Sequence, residues 1–372
     1  MFIQYYNKAY IQYVLNYYQE AYDFIKMAKP YITDKEEQLK YYQLFYKILS
    51  ALKYNHKAYK IAEKIALGPF DWHVTNNALD TISNYIESIN TNSVKKMKLS
   101  CLTPEFFNIS SISIMKKESG YRCNFRAINY DYTVNGDFIP RHSDGVVRTK
   151  NYLIDLDSHF LIQQMSEIKE AVDFDIYPCR ILGMEDVRLF GNYFLCTRLD
   201  ATLDHQPKVC LGDFHGMKVL NYGNMGTEKN WLPLYDNGKC QIIYSFDPFV
   251  VYDLNLETGE LTPFMNKKLN DLNLSSFRGS AVPIKYKEGW LMTIHQVYYH
   301  KKRRYFHRLV WLNNDFTEIK YSKLYYHEHI GVEFNLGICL CDEGVILTYS
   351  VDEKNSTLTI IDYDTIDSMI GF

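Results

Sequence analysis

Neither sign of charge dominates this chain: 41 Lys and Arg face 44 Asp and Glu, a net charge of −3. That balance leaves no electrostatic footprint for nucleic acid or for an anionic membrane. No stretch reaches the ~18 apolar residues that a membrane span needs. The start, MFIQYYNKAYIQYVLNYYQ, lacks a basic leader region, a clean apolar core and a cleavage site. The expectation is a cytoplasmic protein with no membrane span, not exported by the usual route. Low-complexity, collagen and coiled-coil patterns are missing as well. No cysteine pair is spaced as CxxC; the eight cysteines are scattered at 101, 123, 179, 196, 210, 240, 339 and 341. Such spacing reads as reduced, buried thiols. Cys339 and Cys341 share a face if the segment is a strand, and core packing suits them better than metal. There is no P-loop, no GxGxxG and no GxSxG, so no cofactor is called for.

What is present is a globular composition. Of the 372 residues, 47% are hydrophobic and 23% charged, enough for a sizeable core in two or three domains. Aromatic residues make up 16%, with 33 Tyr and 21 Phe. Tyr has an apolar body and a polar tip, which suits grooves for sugars or bases. The abundance of Asn, Lys and Ile also fits simple codon bias from an AT-rich genome.

The character of the chain changes near residue 100. Residues 1–92 have helical periodicity: Tyr10, Tyr13, Val14, Tyr17, Tyr18, Ala21, Phe24 and Ile25 recur at three- and four-residue steps. This predicts one helix ended by Pro30. A second opens at Asp34 with Glu36 and Glu37, a third runs from Asn55 to Gly68, and a fourth starts at Pro69. Ala58 and Ala62 at close-packing positions suggest tetratricopeptide-like hairpins, with a plain helical bundle as the alternative. Residues 93–372 have strand periodicity, with short runs rich in Val, Ile, Tyr and Phe broken by Gly, Asn and Asp. At roughly 50 residues per four-stranded blade, this length predicts a β-propeller of about five blades. The fold class expected is mainly β: a five-bladed propeller over 93–372, preceded by a small all-α helical-hairpin module over 1–92.

A propeller gathers functional groups at one end of its central channel, so polar residues should recur at matching strand ends. They do. Asn108 and Ser110 lie in FNISSI, Arg126 in NFRAINY, and Glu185, Asp186 and Arg188 in GMEDVRLFG. Glu228, Lys229 and Asn230 lie in EKNWLPL, Asp247 in YSFDPF, Arg278 in FRGSAVP and His295 in GWLMTIHQV. Glu333 follows in VEFNLG and Asp352 in LTYSVDE. Charges set in apolar strands at Gly- or Pro-rich turns are costly unless they are paired or face a ligand.

These segments, in this order, resemble glycoside hydrolase family 130 and its mannosyltransferase relatives, which are five-bladed propellers. The most specific piece is GMEDVRLFG, similar to the family's Gly-x-Glu-Asp-Pro-Arg. The resemblance runs from about Asn108 to the C-terminus. It implies a carbohydrate-active enzyme that moves a mannosyl-type sugar between a glycoside and phosphate or an activated, nucleotide-linked donor. The other reading is a catalytically inactive propeller that binds glycans or proteins.

On the resemblance, Asp186 is the catalytic residue, a general acid whose carboxyl must hold a proton near neutrality. Arg126, Arg188, Lys229, Arg278 and His295 form the side that binds phosphate or donor. Asn108, Ser110, Asn230, Asp247, Glu333 and Asp352 bind sugar hydroxyls. Strand alternation predicts that Glu185 points away from Asp186, and that Asp186 alternatively forms a structural salt bridge with Arg188. Trp231 and Tyr244 are stacking candidates, with core packing as the alternative. Two positions depart from the family pattern: Val187 replaces its Pro, and Gln296 the Gly after its His. Inverting hydrolysis would need a second carboxylate, for which Asp247 or Glu333 could serve. His327 and His329 form an HEH pair without an evident third ligand, so no metal is assigned. KKRR at 301–304 reads as a solvated hairpin turn. The helices of 1–92 offer a surface for a protein partner.

Overall fold

A computed structural model describes residues 1–68, 70, 74, 77–78, 83, 85–132, 138–213, 215–220, 226–269, 273–300 and 302–372, excepting the side chains of 299, 300 and 302. It divides into two compact units: residues 1–87 with 270–274 and 298–300, and residues 88–269 with 275–297 and 301–372.

The first unit contains helices α1 (Phe2–Val14), α2 (Tyr18–Ala28), α3 (Lys35–Ala51) and α4 (Asn55–Ala66). The single helix expected up to Pro30 is two helices. The chain reverses at Asn16, whose φ of 63° is left-handed, a backbone that Asn tolerates at a helix end. Asp34 caps α3 by accepting a hydrogen bond from Glu37 N at 2.8 Å, as its position predicts. Ala9, Ala21, Ile25, Ala28, Tyr41, Leu44 and Ile48 form the core of α1–α3. Small alanines let these helices approach closely. Ile3, Tyr10, Ile11 and Val14 of α1 stay exposed. The expected fourth helix falls in a segment that lies mostly outside the described residues.

The second unit is built from antiparallel sheets met in chain order. Sheet I holds Asn108–Lys117, Gly120–Ile128, Val147–Leu156 and Ile162–Glu167, with Ile181–Leu182 added in parallel. Sheet II holds Glu185–Phe190, Tyr193–Arg198, Lys208–Gly212 and Met217–Val219. Sheet III holds Leu232–Asp236, Lys239–Phe246, Phe249–Leu254 and Leu261–Lys267. Sheet IV is built around the long hairpin Gly289–His300 and Lys302–Asn313. Sheet V holds Glu333–Cys341, Gly344–Val351 and Asn355–Ile361, and takes its outer strand, Ser93–Lys98, from the start of the unit.

The sheets bury apolar faces against one another. Ile112, Ile114 and Phe125 of sheet I share a core with Ile346, Leu358 and Ile360 of sheet V. Leu291, Leu309 and Trp311 of sheet IV share another with Ile338, Val345 and Leu347 of sheet V. Phe190, Leu195 and Leu211 of sheet II meet Cys240, Ile242 and Leu254 of sheet III. A sheet order that closes on itself, with the last sheet completed by the first strand, is a propeller-like arrangement.

The uniform five-blade count is corrected. Among the described residues, the six sheets have five, four, four, seven and four strands, plus a separate two-stranded ladder of Tyr130–Tyr132 with Phe138–Pro140. Irregularity enters where the hairpin of sheet IV recruits short extra strands and where sheet I gains a parallel one. All eight cysteines are free thiols. Cys339 and Cys341 pack with Ile114 and Phe125 in the core between sheets I and V. Among the described residues, no helix is long and apolar enough to cross a membrane.

Candidate functional site

The site begins at a break in a strand. Asp186 has a left-handed φ of 50°, and the pairing of its strand slips between Glu185 and Arg188. Such a bulge breaks the two-residue alternation of side chains. Glu185 and Asp186 therefore do not diverge, as alternation predicts, but meet on one guanidinium. Arg126 donates from Nη2 to Glu185 Oε1 at 2.8 Å and from Nη1 to Asp186 Oδ1 at 3.2 Å. Arg126 is buried, and its Nε has no hydrogen-bond partner among the described residues.

A third carboxylate completes the group, and it was not among the residues singled out from the sequence. The turn after Gly344–Val351 carries two left-handed residues in succession, Asp352 at φ 50° and Glu353 at φ 57°. This costly backbone sends Asp352 outward, 55% exposed at its side chain and 3.8 Å from His329. Glu353 turns inward and accepts a hydrogen bond from Ser110 Oγ. The sequence showed it only as the second of two adjacent acids in SVDE, of which the first was singled out. Burial pushes the Glu353 carboxyl above its ordinary range, with Asp186 adding like-charge repulsion and Arg126 opposing it. Burial likewise raises Glu185, again against Arg126.

Arg188 does not reach a carboxylate. Its Nε donates to Ser280 O at 2.8 Å, Nη1 to Asp186 O at 3.0 Å and Nη2 to Gly279 O at 3.3 Å. The alternative of an Asp186–Arg188 side-chain salt bridge is therefore corrected: Arg188 holds the backbone of Asp186, not its charge. Gly279 is needed here, because a Cβ would overlap the Asn230 carbonyl. We expect Arg188→Met to lose about 3 kcal/mol of stability, since three buried carbonyls would lose their donor. Urea denaturation checks this, and a loss below about 1 kcal/mol would show the carbonyls finding other partners.

His295 lies across the strand pair from Arg278 and is 3% exposed. Its Nδ1 is 2.8 Å from Ser280 Oγ. Burial, with neighbouring His307, Arg278, Arg188 and Lys229, holds its pKa well below the ordinary value. His295 is thus a neutral hydrogen-bonding group, not the cation its family match implied. The exposed cations of this group are Lys229 and Arg278. Lys229 also acts electrostatically on Glu185.

The remaining candidates are distributed otherwise. Asn108 is partly buried at the start of its strand. Asn230 has a left-handed φ of 65° beside Lys229. Asp247 is partly exposed at the hairpin turn before Pro248. Glu333 is fully buried and accepts the backbone N–H groups of His327, Glu328 and His329 at 2.6, 2.7 and 2.9 Å. It is held inside the turn it caps, its oxygens taken up by backbone donors. Trp231 belongs to the core between sheets II and III, with Tyr244 packed against it. Tyr130 and Tyr132 are the aromatic residues that feel this charge: burial raises both hydroxyls, with Glu353 adding to it. In HEH, His327 is buried and stacked on Tyr349 at 3.8 Å, while His329 faces outward. Among the described residues no group of three His, Cys, Asp or Glu could hold a metal ion.

Neither a family model nor a curated protein matches the chain. Similar solved structures include a β-1,2-mannobiose phosphorylase from Listeria innocua, at 13% identity over 73% of this chain and 95% of that one, TM-score 0.47. A mannose phosphorylase from Leishmania mexicana in complex with a phosphate ion aligns at 11% identity over 78% and 93%, TM-score 0.47. A glycosyl hydrolase from Bacteroides ovatus aligns at 12% identity over 69% and 85%, TM-score 0.46.

Proposed function

We propose that the propeller-like unit is a carbohydrate-active enzyme that transfers a mannosyl-type sugar between a glycoside and phosphate or an activated donor. The observation that carries this reading is the meeting of Glu185 and Asp186 on Arg126, with the inward-turned Glu353, held by Ser110, acting electrostatically on the same guanidinium. Two carboxyls on one guanidinium and a third that interacts with it carry an excess negative charge when all are ionised. Burial and mutual repulsion then favour keeping one proton among them. That proton is what a general acid gives to a leaving glycosidic oxygen. Asp186 is the residue that meets the glycosidic oxygen, with Glu185 and Glu353, both raised by burial, beside it. Lys229 and Arg278 hold the anion, inorganic phosphate or the phosphate of an activated donor, while Arg188 and neutral His295 keep the loop in place. Ser110, Asn108 and Asn230 line the sugar side. The helices of residues 1–92 take no part in the chemistry, and the exposed face of α1 serves a protein partner.

A donor screen tests this reading. Mannose 1-phosphate and GDP-mannose are offered with simple mannosides, and release of phosphate or GDP is followed. Turnover with one donor supports the reading and chooses between phosphorylase and transferase. Saturable sugar binding with no turnover would favour the inactive glycan-binding alternative. A pH profile adds a second check. Because the acid must be protonated, activity should fall as pH rises through the apparent pKa of the carboxyl group. Glu353→Gln removes a like charge beside Asp186, so the alkaline limb should move to lower pH by about one unit. An unmoved limb would take Glu353 out of the proton-sharing group.

A further inference from the structure

The parallel ladder of sheet I ends at Leu182, and the next strand begins at Glu185. Gly183 and Met184 carry the chain from one to the other, and side chains tie both. Met184 O accepts from Thr149 Oγ1 at 2.8 Å and from Asn151 Nδ2 at 3.0 Å. Asn124 Nδ2 donates to Asn151 Oδ1 at 2.9 Å and fixes that amide. Asn151 stands opposite Arg126 in the ladder. One strand pair thus holds both the Met184 carbonyl and the carboxyls of Glu185 and Asp186. Gly183 N donates to Asp200 Oδ2 at 3.1 Å. Gly183 has a left-handed φ of 96°, and a Cβ there would stand 2.7 Å from Thr149 Oγ1.

Building on the proposed transfer reaction, we infer that Asp200 is a positioning residue for the Glu185–Asp186 pair, acting through Gly183 and held in turn by Arg198. Arg198 grips Asp200 at two points, Nε to Oδ1 at 2.8 Å and Nη2 to Oδ2 at 2.7 Å. Both side chains are 1% exposed, and Arg198 Nη1 also donates to Glu170. A buried carboxylate is costly without a matched partner; the two-point fork offsets that cost and aims Oδ2 at Gly183. Gly183 has no side chain of its own to pack. It borders a cavity of about 560 Å³, with Glu170, Arg198 and Asp200 also in the wall. Packing does not fix the loop from that side, so the hydrogen bond from Gly183 N does. Glu185 and Asp186 follow almost at once in the chain, and a displacement of about 1 Å at a reacting group costs on the order of 100-fold in rate.

Two double variants of the full chain separate positioning from stability. Arg198→Met with Asp200→Leu removes both the ion pair and the acceptor of Gly183 N. Arg198→Met with Asp200→Asn removes the same ion pair but keeps an acceptor oxygen. Glu170, 26% exposed at its side chain, stays solvated in both. The two should melt within about 5 °C of each other. Amides of residues 183–186 should exchange hydrogen at least about tenfold faster in the Leu variant than in the Asn variant, with the rest of sheet II alike. With the donor found in the screen, kcat of the Leu variant should fall about 100-fold while KM changes less than about threefold. The Asn variant should regain at least about tenfold of that loss. Equal exchange in the two variants would overturn the inference. So would equal kcat, or a Leu variant that melts more than about 5 °C below the Asn variant, which would make Asp200 a residue of fold stability. Absence of turnover with every donor would defeat the enzyme reading, while exchange and melting would still decide whether Asp200 holds the loop.

Discussion

Asp186→Asn is expected to lower kcat/KM for mannosyl transfer about 1,000-fold, the scale of a lost general acid. The loss should fall mainly on kcat, because Asn keeps the size of the side chain and its capacity to accept a hydrogen bond. Stability should change little. Arg126 keeps its 2.8 Å bond to Glu185, and Arg188 keeps its bond to the Asp186 carbonyl, which the substitution leaves in place. Initial-rate kinetics beside a thermal melt separate the two effects. Glu185→Gln serves as comparison: it removes the stronger partner of buried Arg126 and should cost more stability than Asp186→Asn. If Asp186→Asn retains turnover within threefold of native, the proton is delivered by another member of the group. Glu353, with its raised pKa, is then the acid, and Glu353→Gln should abolish activity instead.

Acid should destabilise the second unit steeply, and histidine is the reason. His295, His307 and His327 are at most 3% exposed. Burial pulls His307 down from 6.5 to about 3, and pulls His295 and His327 well below their ordinary value. All three are neutral in the folded state, whereas each takes up a proton near pH 6.5 once unfolded. Their contribution to stability is therefore complete above pH 6.5. It is lost as pH falls below it, because the unfolded state then binds more protons. Three such groups cost about 4 kcal/mol between pH 7.5 and pH 5.5, a large share of ordinary domain stability. Glu185, Glu333 and Glu353, raised by burial, act with the opposite sign and offset part of this at the acidic end. Urea midpoints at the two pH values give the measurement. His327→Phe should remove about 1.4 kcal/mol of the difference, since a phenyl ring keeps the stack on Tyr349 and takes up no proton. Equal midpoints at both pH values would mean that these rings are solvated.

Much of the framework was legible in one dimension. Helical periodicity, the Asp34 cap and the change to strand periodicity near residue 100 are local patterns, and local physics answers to them. The break at Asn16 was missed because apolar periodicity runs through it; only the left-handed backbone shows that the chain turns. The site was legible in part. GMEDVRLFG, NFRAINY and FNISSI supplied Asp186, Arg126 and Ser110, which the fold brings to one place. Glu333 and Asp352 were chosen on the same grounds, yet one is enclosed by three backbone N–H groups and the other faces outward. Arg188 and His295 were read as cations for a ligand. Burial makes one a clamp on carbonyls and the other neutral.

What the sequence alone determined, then, is what depends on neighbours along the chain: element type, the capped helix, the ordered series of polar strand ends, and which residue types were available for chemistry. The tertiary structure decided what depends on direction and surroundings. A bulge at Glu185–Asp186 turned two diverging carboxylates onto one guanidinium. Two left-handed residues exchanged Asp352 for Glu353. Charge state followed the same rule, because desolvation is a property of everything packed around a group and not of the letters beside it.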